Sequence, residues 1–225
     1  MKIGVIVFPG SNCDHDAFRA VQNVTKAEVQ FLWHKEASLA GSDAVIVPGG
    51  FSYGDYLRCG AIASQSPIMA CLIAEAKKGL PVLGICNGFQ VLTEAGLLPG
   101  VLMRNQGLKF ICKPVHLKLE TSRTPFTRKG KVGSVSRIPI AHIEGNYFIE
   151  DNGLKSLEDN DQIVFRYVDE SGTASDEANP NGSLTNIAGV CNAQGNVMGL
   201  MPHPERVCDK LLGGTDGRFF FESLM

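Results

Sequence analysis

The segment Pro81-Val82-Leu83-Gly84-Ile85-Cys86-Asn87-Gly88-Phe89-Gln90 reads as a buried strand that turns sharply into a helix at a cysteine. Gly84 and Gly88 stand two residues to either side of Cys86, so the turn has the small neighbours that a tight strand-to-helix elbow needs. A cysteine in such an elbow lies at a helix N-terminus, where backbone N–H groups and the helix dipole favour the nucleophilic thiolate. A core thiol on an ordinary turn would show the same pattern, and what separates the two readings is a second cluster far along the chain.

That cluster is Gly199-Leu200-Met201-Pro202-His203-Pro204-Glu205-Arg206, again at the end of an apolar run. His203 is held between two prolines. Glu205, two residues on, can orient the imidazole and stabilise its cation while the other ring nitrogen takes the proton of Cys86. The order Cys86, His203, Glu205 differs from the nucleophile, acid, histidine order of the α/β-hydrolases.

Around the elbow, the first half of the chain alternates short β-branched runs (3–8, 28–33, 44–47, 82–85) with helical patterns (14–23, 66–78). Such alternation predicts an α/β fold with a mostly parallel sheet and helices on both faces. Ligands bind such sheets at the carboxyl ends of the strands, where Gly49-Gly50 and Cys86 both fall. The second half changes to strand-like runs at 110–119, 131–140, 163–168 and 187–192, an antiparallel elaboration on the same core. Residues 169–186, rich in Ser, Asp, Asn and Gly, predict an exposed loop, and a terminal helix at 218–224 is expected to pack Phe219, Phe220 or Phe221 on the core.

With 225 residues and 44% hydrophobic composition the chain can bury one full core, and residues 1–225 are taken as a single domain. The net charge of -2 offers no basic stripe for nucleic acid. Seven cysteines, an odd number with no CxxC pair, indicate neither a disulfide framework nor a zinc site, and no metal is expected. Reduced thiols and the absence of a membrane-length apolar run or signal-peptide pattern predict a cytoplasmic protein.

The elbow cysteine, the distant histidine and the glutamate two positions later resemble the triad (class I) glutamine amidotransferases, whose fold is flavodoxin-like. Further segments are similar to one branch of them, the glutaminase subunits of phosphoribosylformylglycinamidine synthases. They are 4–14 (GVIVFPGSNCD), 48–58 (PGGFSYGDYLR), 139–145 (PIAHIEG), 179–183 (NPNGS), Asp216-Gly217 and 220–223. Ile143 stands where the family pattern has glycine. The resemblance covers essentially the whole chain and implies a catalytic set of Cys86, His203 and Glu205 that hydrolyses glutamine through a thioester.

The oxyanion donors would be the backbone N–H groups of Asn87 and of Gly50 or Phe51, with Gly49 serving either the site or only the turn. Gln90, one helical turn on, either holds the bound glutamine or is a solvated helix residue. His142, Glu144 and Tyr147 either line the site or a partner interface or form an ordinary hairpin loop. The remaining cysteines read as core or neutral positions, with Cys59 alone near a functional loop.

No GxxxxGK[ST] phosphate loop is present. The resemblance therefore implies no cofactor in this chain, and ATP and magnesium on a synthetase partner that uses the ammonia on formylglycinamide ribonucleotide in purine biosynthesis, with a small third subunit. Two other readings stay open: another cysteine hydrolase of the flavodoxin-like or peptidase type, and a catalytically silent interaction subunit.

Overall fold

Apolar runs alternate with amphipathic helices through the first half of the protein, whose computed structural model describes all residues 1–225. These elements are β1 (Lys2–Val7), α1 (Asp14–Val24), β2 (Glu28–Trp33), β3 (Ala44–Val47), α2 (Pro67–Lys77), β4 (Val82–Ile85) and α3 (Asn87–Glu94). Every residue of β3 and β4 is buried, as expected of parallel strands covered on both faces. Helix α1 buries Ala17, Ala20 and Val21 at helical spacing, and α2 opens on Pro67, whose missing N–H costs nothing in the first turn.

The second half contributes β5 (Val101–Arg104), β6 (Ile111–Leu119), β7 (Val135–His142), β8 (Glu144–Phe148), α4 (Asp151–Asp159), β9 (Ile163–Val168), β10 (Ile187–Cys191), β11 (Val197–Leu200) and α5 (Arg218–Glu222). One nine-stranded sheet runs in the order β2-β1-β3-β4-β11-β10-β9-β6-β7, and β5 pairs with β8 beside it. Strands β2, β1, β3, β4 and β11 are parallel, and β10, β9, β6 and β7 continue the sheet antiparallel. The expected α/β architecture and its antiparallel extension are thus both present, joined by β11. A contiguous apolar core extends from Ile3 to Leu224, with Phe220 and Phe221 fully buried.

Three expectations need correction. The strand expected at 131–140 is β7 and begins at Val135, because Lys131–Ser134 form a turn around Gly133 at φ +83°. Residues 169–186 are not an exposed loop throughout: Asn181, Ser183 and Asn186 are buried. Asn181 Nδ2 donates to the Gly145 carbonyl (2.7 Å), Ser183 Oγ accepts from the Tyr147 N–H (3.1 Å), and Asn186 Nδ2 donates to the Tyr167 carbonyl (3.0 Å). Polar side chains here satisfy the backbone of β8 and β9, which composition alone reads as loop chemistry. Finally, 144–148 is not a hairpin loop but strand β8, stabilised by pairing with β5. No helix is long and apolar enough to cross a membrane.

Candidate active site

Strands β3, β4 and β11 are neighbours in the sheet, and registers Val47↔Gly84 and Ile85↔Leu200 bring their carboxyl ends level. The glycine loop, the elbow and the His203 turn therefore open into one crevice. Cys86 adopts φ 50°, ψ −107°, a left-handed strain costing about 1–3 kcal/mol that the packing around it must hold. A Cβ on Gly84 would come within 2.6 Å of Leu92 Cδ1, and one on Gly88 would overlap the Val47 carbonyl. Both glycines let α3 sit directly on β3 and β4, which aims the helix N-terminus at the Cys86 sulfur. That sulfur is 3.8 Å from the Ala141 carbonyl.

His203 is fixed from both sides. Its N–H donates to the Pro139 carbonyl on β7 (2.8 Å), and Nδ1 lies 2.6 Å from Glu205 Oε1. Burial by itself would push the imidazole down, but the Glu205 carboxylate and then the Cys86 sulfur hold it well above its ordinary value of 6.5. Nε2 has no formed hydrogen bond, although Cys86 and Cys13 both lie near enough to raise its proton affinity. A Cβ on Gly49 would come within 2.7 Å of His203 Cε1 and 3.4 Å of both Cys86 Cβ and Cys13 Sγ. Gly49 is thus where the imidazole and the two cysteines converge, and its smallness serves the site itself.

Cys13, read as a core or neutral position, belongs to this crevice. It follows β1 and precedes α1, and its buried sulfur accepts from Arg206 Nη2 (3.1 Å), while Arg206 Nε lies 3.7 Å from Asp16. Its place beyond the end of a parallel strand was the available signal. Ligand atoms of Cys13, His203 and Glu205 lie within 4.8 Å of one another, close enough to share a soft cation. The guanidinium on the same sulfur opposes a cation there. Cys59 is also buried near the site, where burial and then Asp55 and Glu144 push its thiol far up, so it stays protonated.

Among the candidate oxyanion donors, the Phe51 N–H is taken by the Gly10 carbonyl (2.9 Å). Its side chain is exposed on the rim, where the ring lies 6.4 Å from that of Phe110. The N–H groups of Gly50 and of Asn87, the first residue of α3, have no acceptor. Gly50 sits at φ +135°, and a Cβ there would come within 2.9 Å of Ser11 Cα. Asn87 Oδ1 accepts from the Ser52 N–H (3.0 Å), and Nδ2 donates to Asp55 (3.1 Å) and to Gln90 Oε1 (2.9 Å). Gln90 is buried, with Nε2 donating to the Glu144 carbonyl (2.6 Å). It is not a solvated helix residue: its amide braces α3 against Asn87 and the Glu144 carbonyl, using one of its two N–H groups and one lone pair of its oxygen.

His142 is buried next to Ala141, with Nδ1 3.1 Å from Asn105 Oδ1. Glu144 lies at the rim, 3.6 Å from Arg104. Tyr147 does not join the site: it is 1% exposed, donates its hydroxyl to the Pro99 carbonyl (2.9 Å) and stacks on Phe89, which makes it core. Ile143 has no left-handed φ and accepts from the Asn105 N–H (2.8 Å), so the loop takes a side chain there without strain. Asn105, fully buried, was not marked by any local sequence signal.

A model of the CobB/CobQ-like glutamine amidotransferase domain matches residues 1–214. The chain is similar to the phosphoribosylformylglycinamidine synthase subunit PurQ of Koribacter versatilis, with 56% identity over 100% of this chain and 97% of that one. Among solved structures it is similar to PurLQS from Thermotoga maritima, with TM-score 0.87, 43% identity and coverage of 99% of this chain and 96% of that chain. A glutamine amidotransferase from Thermotoga maritima, at TM-score 0.56 and 19% identity over 91% of this chain and 76% of that one, shares the fold.

Proposed function

The chain belongs to the family of CobB/CobQ-like glutamine amidotransferase domains, and from that premise we propose that it is the glutaminase subunit of a phosphoribosylformylglycinamidine synthase. Residues 1–225 act as one amidotransferase domain. Cys86 is the nucleophile, His203 the acid and base, and Glu205 the group that orients the imidazole.

The thiol proton of Cys86 passes to His203 Nε2, and the sulfur bonds to the carboxamide carbon of glutamine. The Gly50 and Asn87 N–H groups stabilise the oxyanion. The C–N bond then breaks as the imidazolium gives its proton to the nitrogen, leaving a γ-glutamyl thioester and ammonia. Water, deprotonated by His203, attacks the thioester carbon; the C–S bond breaks, the proton returns to sulfur, and glutamate leaves. The sum is glutamine and water to glutamate and ammonia.

Ammonia is passed to a synthetase subunit that binds formylglycinamide ribonucleotide, ATP and magnesium and forms formylglycinamidine ribonucleotide, with a small third subunit in the assembly. This chain itself needs no cofactor, and the reaction belongs to the cytoplasm. The 48–60 loop, with positive φ at Tyr53, Gly54, Asp55 and Leu57 and exposed Phe51, Tyr56 and Leu57, supports a site completed by that partner. The observation that carries the reading is the strained Cys86 elbow beside a buried His203–Glu205 pair only 2.6 Å apart.

The test is glutamate release from glutamine by wild type and Cys86→Ala, alone and with the synthetase subunit, formylglycinamide ribonucleotide and ATP. Release should require Cys86 and should rise when the synthetase is added. Cys86-independent release, or none in any combination, would overturn the assignment.

A further inference from the structure

His142 Nε2 is a buried polar atom with no partner, and its chemistry can be deduced from the other side of the ring. Asn105 Nδ2 donates to two carbonyls, those of Lys109 (2.9 Å) and His142 (3.0 Å), so Asn105 Oδ1 is an acceptor. That oxygen takes the Gly145 N–H (3.1 Å) and lies 3.1 Å from His142 Nδ1. Nδ1 therefore carries the ring proton, and Nε2 presents a lone pair. Gly145 packs flat against the ring, close enough that a Cβ there would overlap it. The preceding residue holds its carbonyl 3.8 Å from Cys86 Sγ, so this unfilled acceptor lies on the strand that walls the nucleophile.

An unfilled acceptor in a buried wall is completed by an N–H or O–H donor, since leaving it dry is costly. Glutamine brings one donor to the sulfur, its carboxamide nitrogen. We propose that His142 Nε2 accepts a hydrogen bond from the carboxamide nitrogen of glutamine and then from the ammonia released, making His142 a further catalytic residue of the glutaminase reaction. The proposal rests on the glutaminase reading above. Burial and the nearby His203 hold the imidazole down at about 4, so at neutral pH it has no second proton to give to ammonia, which leaves uncharged and nucleophilic.

Two substitutions and two substrates test it in the complex with the synthetase. His142→Asn keeps a donor near Nδ1 for Asn105 and removes the acceptor. His142→Gln gives up the Asn105 bond but places an amide oxygen near Nε2. Turnover is compared on glutamine and on glutamate γ-methyl ester, which reaches the same thioester but has no N–H on its leaving group. His142→Asn should lose about tenfold in kcat on glutamine, the scale of one hydrogen bond, and under threefold on the ester.

The amide-to-ester ratio cancels any loss of folded enzyme, and in His142→Gln it should stay within threefold of wild type. A wild-type ratio in His142→Asn, or a larger fall in the ratio for Gln than for Asn, would overturn the proposal. The glutaminase reading fails separately, if Cys86→Ala still turns over glutamine.

Discussion

His203 Nδ1 and Glu205 Oε1 lie 2.6 Å apart with both side chains buried, on a single turn that opens at Pro204 and is tied to β7 through the His203 N–H. The short link directs Nδ1–H toward the carboxylate and leaves Nε2 as the ring nitrogen available to a thiol. It also keeps a buried imidazolium stable where burial alone would expel the proton.

Replacing Glu205 with Gln should therefore leave the fold in place while turnover collapses. The amide can hold the wrong tautomer and no longer stabilises the cation, and a comparable change in a serine triad costs about 10⁴ in rate. A fall of about 10²- to 10⁴-fold in kcat for glutamine, with KM changed less than fivefold, is expected from steady-state glutamate release.

Gly49→Ala should harm activity far more than stability. The added methyl would meet His203 Cε1 at 2.7 Å and must displace the ring or Cys86, so at least a tenfold loss of kcat is expected. Thermal melting should fall by about 2–12 °C, corresponding to about 1–3 kcal/mol of overpacking.

Tyr147→Phe separates a packing role from a site role. Loss of the hydroxyl bond to the Pro99 carbonyl should cost about 1 kcal/mol in urea unfolding and leave glutamine turnover within twofold of wild type.

Two buried histidines impose opposite pH dependences on stability. His142 is held at about 4, below its unfolded value, so it supports the fold fully above about 6.5 and loses that support as pH falls toward 4, on the order of 3 kcal/mol in all. His203 is raised, so its support is complete below about 6.5 and is lost as pH rises through its folded value. Urea unfolding of wild type and His142→Gln at pH 7 and pH 4.5 should show the variant losing less stability on acidification.

Much of this architecture is legible in local pattern. The runs at 3–8, 44–47 and 82–85 are apolar because parallel strands covered on both faces leave no polar side, whereas 28–33 forms the sheet edge and keeps exposed positions. The elbow announces itself because a strained turn tolerates only small neighbours. The short β5 and β8 were missed because neither is amphipathic enough alone; each exists through its pairing with the other.

The sequence by itself determined the α/β class, the elbow at Cys86 and the candidate partners His203 and Glu205, since each follows from periodicity or from short-range spacing. Tertiary structure alone decided that Cys13 and Arg206 share the crevice, that Phe51 has no N–H to offer, that Gln90 is a brace and that Tyr147 is core. It also decided the tautomer of His142, through Asn105 on a different strand connection. The reason is physical: a side chain's role is set by the partners that satisfy or abandon its polar atoms, and those partners come from segments far apart in the chain.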